Sequence, residues 1–204
     1  MAIVCPVDLD TVRLRQEIQA IYARVATEPS SEFHFHRGPG YAAERLGYNS
    51  TALAGLPSET TASFAGVANP LRITELPPGA TVVDIGCGAG MDLVLAASAV
   101  GPSGHAIGID MTEAMAERAR ASARALGFAH LEVRAGDALD VPVDSHSVDF
   151  VISNGVLNLA PDKRQAFGEV FRILKPGAQF LYADIIVASE LSESVRRDID
   201  LWTG

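Results

Sequence analysis

From Thr81 onward, short β-branched runs alternate with segments of helix length, and no other property of the chain narrows its fold as much. Thr81–Ile85 predicts a first strand, followed by a glycine-rich turn and a helix-compatible stretch over 90–100. His105–Ile109 predicts a second strand. Thr112 is placed to cap the next helix through its hydroxyl, Glu113 suits the positive first turn, and Gly127 suits a left-handed end. Leu131–Arg134 and Val148–Ser153 predict strands three and four. Pro161 suits the first turn of a helix whose apolar positions Ala166, Phe167, Val170, Phe171 and Leu174 share one face. Pro176-Gly177 predicts its end, and Gln179–Val187 a fifth strand. Strands alternating with helices of this length require a sheet covered on both sides. The expected class is α/β, with a doubly wound, mainly parallel sheet.

Residues 1–75 read differently. Residues 11–26 carry Val12, Ile18, Ile21, Tyr22 and Val25 at helical spacing, opposite Arg13, Arg15, Gln16, Gln19 and Arg24. Beyond Glu28 the breakers Pro29, Gly38-Pro39-Gly40, Gly47, Pro57, Gly66, Pro70 and Pro77-Pro78-Gly79 leave room only for short helices, over 40–46 and 58–65. The chain therefore divides into a helical extension, 1–75, that packs as a lid on the domain at 76–204.

At 204 residues the length suits one domain with a sizeable core. Apolar residues make up 48% and charged residues 20%, which excludes disordered and fibrous classes. Leu93–Val100, the longest apolar candidate, falls far short of the ~20 residues of a membrane helix. Met1–Asp10 carries no signal-peptide pattern. The net charge of −9 is the wrong sign for holding nucleic acid or anionic lipid. Cys5 and Cys87 are too few for a disulfide scaffold or a four-ligand zinc site, so a reducing, cytoplasmic setting is expected.

Chemistry enters at Val82-Val83-Asp84-Ile85-Gly86-Cys87-Gly88-Ala89-Gly90. Glycines directly after a buried strand let the backbone turn tightly and let a ligand approach peptide groups. Met91 stands where a dinucleotide fingerprint needs its last glycine, which argues against NAD and FAD, and no Gly-Lys-Ser/Thr follows to make a triphosphate loop. Asp110, 24 positions after Gly86, ends the second strand where a carboxylate accepts ribose hydroxyls. Asp137, in Ala135-Gly136-Asp137-Ala138, is placed to accept from an adenine amino group.

Asp84–Gly90, Asp110-Met111, Gly136-Asp137-Ala138, Val148–Asn154 and Leu174-Lys175-Pro176-Gly177 together resemble the ordered motifs of class I S-adenosylmethionine-dependent methyltransferases, over about residues 66 to 202. The resemblance implies a Rossmann-like sheet that binds S-adenosyl-L-methionine at the C-terminal strand ends. It implies that Asp84, Gly86, Cys87, Gly88 and Gly90 form the cofactor turn, with the glycines along the methionine moiety. Asp110 would hold the ribose, Met111 would pack on the adenine, Gly136, Asp137 and Ala138 would flank its amino group, and Asn154 would lie near the sulfonium. Asn158 and Asp184 would face the acceptor, a small molecule. No catalytic base is identifiable, and no metal is expected.

Within that class, Ile152–Lys163 and the stretch from Tyr182 to Trp202 are similar to the arsenite methyltransferases, which bind trivalent arsenic through soft thiolates. This chain departs at those thiols. Gly155 stands after Asn154 where that branch has cysteine, and Phe64–Pro70 replaces its Tyr-Gly-Cys-Gly segment. Cys5 and Cys87 so placed make a poor arsenic trap. The competing reading is a protein that holds the cofactor, or its product, without turnover.

Other features have plainer readings. His34 and His36 lack a third metal ligand nearby, and Asp140, Asp144 and Asp149 read as solvated acids. Cys87 reads as a buried filler, and Arg118, Arg120 and Arg124 as a helix face shared with Glu113 and Glu117. Tyr41 and Tyr48 reach the pocket if the extension closes over it. After strand five only the helical segment Glu190–Trp202 is expected, with the family's strands six and seven absent, so the chain reads as possibly truncated. The bare edge of strand five would then invite a homodimer.

Overall fold

The computed structural model describes residues 10–186 and Ser192. Four helices precede the sheet: α1 (Thr11–Thr27), α2 (Gly38–Leu46), α3 (Ser50–Ala54) and α4 (Ser58–Ala62), followed by a 3-10 turn at Pro70–Arg72. Then come β1 (Thr81–Ile85), α5 (Met91–Val100), β2 (His105–Asp110), α6 (Glu113–Leu126), β3 (Leu131–Ala135), β4 (Val148–Asn154), α7 (Lys163–Ile173) and β5 (Leu174–Ala183). The strands form one parallel sheet in the order β3-β2-β1-β4-β5. The α/β class and the Rossmann-like, doubly wound arrangement are as expected.

Alternation along each strand makes two cores. Val82, Ala106, Ile152 and Leu181 face one side, where Leu93 and Ala97 of α5 and Ala119 of α6 cover them. Val83, Ile107 and Val151 face the other, under Ala166, Val170 and Ile173 of α7. The chain reverses direction across the sheet at β1, which pairs β2 on one side and β4 on the other. A crevice opens at such a switch point beyond the C-terminal strand ends.

The structure corrects several local expectations. β5 begins at Leu174, directly after α7, and runs through Pro176-Gly177 rather than starting beyond them. Among the described residues β5 pairs only with β4, and an edge tolerates a residue without an N–H. The strand stops at Ala183; Asp184–Ile186 continue as irregular chain, and Val187 lies outside the described residues. Pro161 precedes α7, whose N-cap is Asp162, accepting from the Gln165 N–H. The buried face of α7 is Ala166, Val170 and Ile173, whereas Phe171 is 78% exposed. Phe167 packs edge-on against Phe180 and Tyr182. Thr112 sits at the N-cap of α6, but its hydroxyl makes no capping bond. In α1, Val12 is exposed and Leu14, which the pattern left out, is fully buried. The helix α3 was not expected, and α4 ends at Ala62. Cys5, the segment Glu190–Trp202 and any strand beyond β5 lie outside the described residues. No helix among the described residues is long and apolar enough to cross a membrane.

Candidate functional site

A cavity lies beyond the C-terminal ends of β1, β2 and β4, with α1 lying over it. The backbone turns out of β1 as the N–H groups of Gly86 and Cys87 both donate to the Ile109 carbonyl, at 2.8 and 3.0 Å. That pair fastens the glycine turn to the end of β2. A side chain on Gly86 would strike Val156, and one on Gly90 would lie 2.9 Å from Ala119. Packing explains these two glycines. Gly88 is different: a side chain there would meet nothing within 4 Å. Its φ of 53° is one that asparagine also tolerates, so the protein's own packing does not require the bare backbone. An unshielded peptide facing open space in a cavity is a cradle for a ligand.

Three buried carboxylates surround this turn. Asp84 ends β1 at 3% exposure, lines the cavity, and has one carboxylate oxygen with no hydrogen-bond partner. Burial pushes its pKa well up, with Asp92 and Asp110 adding to the rise. Asp92, in the first turn of α5, is pushed up to about 6 by burial, against hydrogen bonds that favour its charge. Asp110 is raised by burial too, although its oxygens accept the N–H groups of Gly88 and Thr112, each at 2.8 Å. A buried acid with a free lone pair costs free energy until something cationic or protonated meets it. The orphan oxygen of Asp84 and the open space at Gly88 fit a cationic ligand lying across the turn.

On the β3 side, Met111, Gly136, Asp137 and Ala138 also line the cavity. Asp137 accepts the Leu139 N–H at 2.8 Å and forms an ion pair with Arg15 of α1 at 2.7 Å. The amide of Gln19 donates to the Met111 carbonyl at 2.9 Å. Leu14 and Ile18 are buried against Met111 and Leu159. Tyr22, also lining the cavity, is pushed up to about 12 by burial, with Asp110 and Asp184 adding to it.

At the end of β4, Asn154 lines the cavity, but its amide is spent within the protein. Its oxygen accepts from Val67 at 2.8 Å and Ala68 at 3.2 Å, while its nitrogen donates to Asp92 at 2.9 Å and the Ala68 carbonyl at 2.8 Å. The Tyr48 hydroxyl, from the extension, donates to Asp92 at 2.7 Å, and burial pushes its pKa far up. Val67 in turn abuts Gly155: its Cγ1 lies 3.3 Å from where a Gly155 side chain would begin. Asn158 and Asp184 are brought to each other instead, the Asn158 N–H donating to Asp184 at 2.7 Å. From this stretch the cavity takes Leu159, Ala160 and Pro161.

Residues 76–203 match the family described as methyltransferase domain. The chain belongs to the S-adenosylmethionine-dependent methyltransferases. It is 39% identical over 161 residues to an arsenite methyltransferase of Halobacterium salinarum, covering 79% of this chain and 41% of that protein. The crystal structure of an arsenic(III) S-adenosylmethionine methyltransferase from Chlamydomonas reinhardtii superposes with a TM-score of 0.65 at 35% identity, over 71% of this chain and 51% of the other. A demethylmenaquinone methyltransferase of Bacillus cytotoxicus is 32% identical over 111 residues, 54% of this chain and 47% of that protein. The chain spans about two-fifths of the length of the curated arsenite methyltransferases it matches.

In this methyltransferase chain, the cavity gathers the sequence-predicted Asp84, Gly86, Cys87, Gly88, Asp110, Met111, Gly136, Asp137, Ala138 and Asn154, with Gly90 holding α5 against α6 behind the turn. Sequence reasoning missed Arg15 and Gln19, which the helical pattern assigned to solvent, and Asp92, whose partners Tyr48 and Asn154 are distant in sequence. Tyr41 stacks on His36 instead of joining the site. Among the described residues no cluster of His, Cys, Asp and Glu is arranged to hold a metal. Arg120 and Arg124 pair with Glu113 and Glu117 on α6, and Asp149 takes Lys175.

Proposed function

We propose that this chain, in a cytoplasmic setting, moves the methyl of S-adenosylmethionine to a small, largely apolar acceptor and not to trivalent arsenic. The contact of Val67 with Gly155 carries the acceptor reading. By resemblance Gly155 stands at a thiolate position of the arsenite branch and Val67 lies in the segment, Phe64–Pro70, that replaces another, and neither offers a thiol. Around them the cavity presents Phe64, Ala65, Val156, Leu159 and Ala160. A wall of this kind recognises apolar surface and has no soft ligand for a thiophilic centre.

S-adenosylmethionine supplies an electrophilic methyl, which passes to the acceptor's lone pair in one in-line displacement as the carbon–sulfur bond breaks, leaving S-adenosylhomocysteine. The protein's part is alignment and exclusion of water. Asp84 offers its free oxygen to the cofactor's ammonium, Asp110 its remaining lone pairs to the ribose, and Gly88 its bare backbone. Holding two reactants in line contributes ~7–11 kcal/mol in well-oriented systems. Asn154 and Tyr48 hold Val67 and Ala68 in place directly, and Asp92 accepts from both of them.

The test is incubation with methyl-labelled cofactor and separate pools of apolar metabolites, polar metabolites and arsenite. Label in an apolar product supports the reading. Label only in methylated arsenic overturns the acceptor assignment, and binding without label in any pool supports the rival, a cofactor-binding protein.

A further inference from the structure

We propose that Arg15, from the extension, is a cofactor-binding residue that joins Asp137 in reading the base of the adenosyl group, an inference that rests on the methyltransferase reading. Arg15 and Asp137 line the same cavity as Met111, Gly136 and Ala138 and sit 2.7 Å apart. Asp137 accepts the Leu139 N–H on one carboxylate oxygen and forms an ion pair with Arg15 through the other, so both oxygens keep acceptor capacity. The Arg15 guanidinium carries five N–H donors, and among the described residues its one polar partner is Asp137. An acceptor and a set of unused donors therefore stand side by side on the cavity wall.

Arg15 is also held in place. Its neighbours Leu14 and Ile18 are buried against Met111 and Leu159, and Gln19 is tied to the Met111 carbonyl. A surface arginine serving only solubility needs no such anchoring. Adenine offers the complementary pattern, an amino donor flanked on either side by ring nitrogens that accept. The amino group suits Asp137, and one flanking nitrogen suits Arg15.

The experiment is calorimetric titration of wild type, Arg15→Ala and Arg15→Lys with S-adenosylhomocysteine and its 1-deaza and 7-deaza analogues, each of which lacks one ring nitrogen. The expected result is that one analogue binds wild type about tenfold more weakly than the parent compound. Arg15→Ala should bind the parent about tenfold more weakly and be indifferent to that same nitrogen, and Arg15→Lys should recover part of the loss. Parent affinity unchanged or raised in Arg15→Ala would make Arg15 a mere latch for α1 and overturn the proposal. So would identical analogue ratios in wild type and Arg15→Ala. Failure of wild type to bind the parent compound at all would strike the methyltransferase reading itself, a separate outcome.

Discussion

The side-chain oxygen of Asn154 accepts the backbone N–H of Val67 at 2.8 Å, joining the end of β4 to a loop 87 positions earlier. The same amide donates to Asp92 and to the Ala68 carbonyl, so one residue fixes the cofactor-side helix α5 and the acceptor-side wall together. Asn154→Ala takes the partner from one oxygen of the buried Asp92 and from the Val67 and Ala68 N–H groups, while Tyr48 still donates to Asp92 and the Ala68 carbonyl. It should destabilise the protein by ~1–3 kcal/mol per unpaired group and lower turnover more than cofactor affinity. Thermal melts and calorimetry check both, and an unchanged melting temperature would contradict the assignment.

The strands were legible because a β-branched run bounded by glycine or a polar turn has few alternatives, and β1 to β4 lie within a residue of their expected ends. β5 was misread because Pro176-Gly177 normally punctuates, and no local pattern shows that this strand sits at an edge. The glycine turn and Asp110 were legible from spacing alone. Arg15 and Gln19 were not, since a polar stripe on a helix looks the same whether it faces water or a polar cavity. Asp92 sat unremarked inside an apolar run because its partners, Tyr48 and Asn154, are brought to it only by the fold.

Asp84, Asp92 and Asp110 are all raised by burial, Asp92 from 3.8 to about 6. The folded state therefore keeps protons that the unfolded chain has already released. The stability Asp92 contributes is full below about pH 4 and is lost as pH rises through about 6, with Asp84 and Asp110 shifted in the same direction. A bound sulfonium and ammonium favour the charged forms, so cofactor binding near pH 6 should release protons. Calorimetry in two buffers of different ionisation enthalpy measures this directly, and proton uptake would contradict the site electrostatics.

Cys87 is the cysteine found among the described residues, buried, with its thiol pushed up by burial and by Asp110 and Asp84. A thiol held protonated is a weak ligand. Mass spectrometry should show no stoichiometric binding of trivalent arsenic. Tight one-to-one binding that disappears in Cys87→Ser would contradict this.

We propose that two copies meet at the side of β5 that has no strand partner among the described residues. Tyr182, Ile185 and Ile186 are 46%, 52% and 75% exposed beside that edge, and an unpaired apolar strand recruits another. Light scattering of the 204-residue chain should give a dimer that Tyr182→Lys with Ile185→Lys converts to monomer. A monodisperse wild-type monomer would contradict the pairing.

Asp110→Ala removes the acceptor proposed for the ribose and should weaken S-adenosylmethionine binding by ~1.5–3 kcal/mol, the range for hydrogen bonds to a charged group. Unchanged affinity in a titration would contradict the ribose assignment.

The cofactor site is tested most directly at Gly88, where the protein's own atoms leave open space and an asparagine, which tolerates the positive φ, would meet only a ligand. The measurement is calorimetric titration of S-adenosylmethionine into wild type and Gly88→Asn, with circular dichroism and melting curves to establish that both are folded. One-to-one binding by wild type and its marked weakening in a folded Gly88→Asn is the predicted result. Equal affinity in the two proteins would show that the turn is purely structural and that the cofactor does not lie across it.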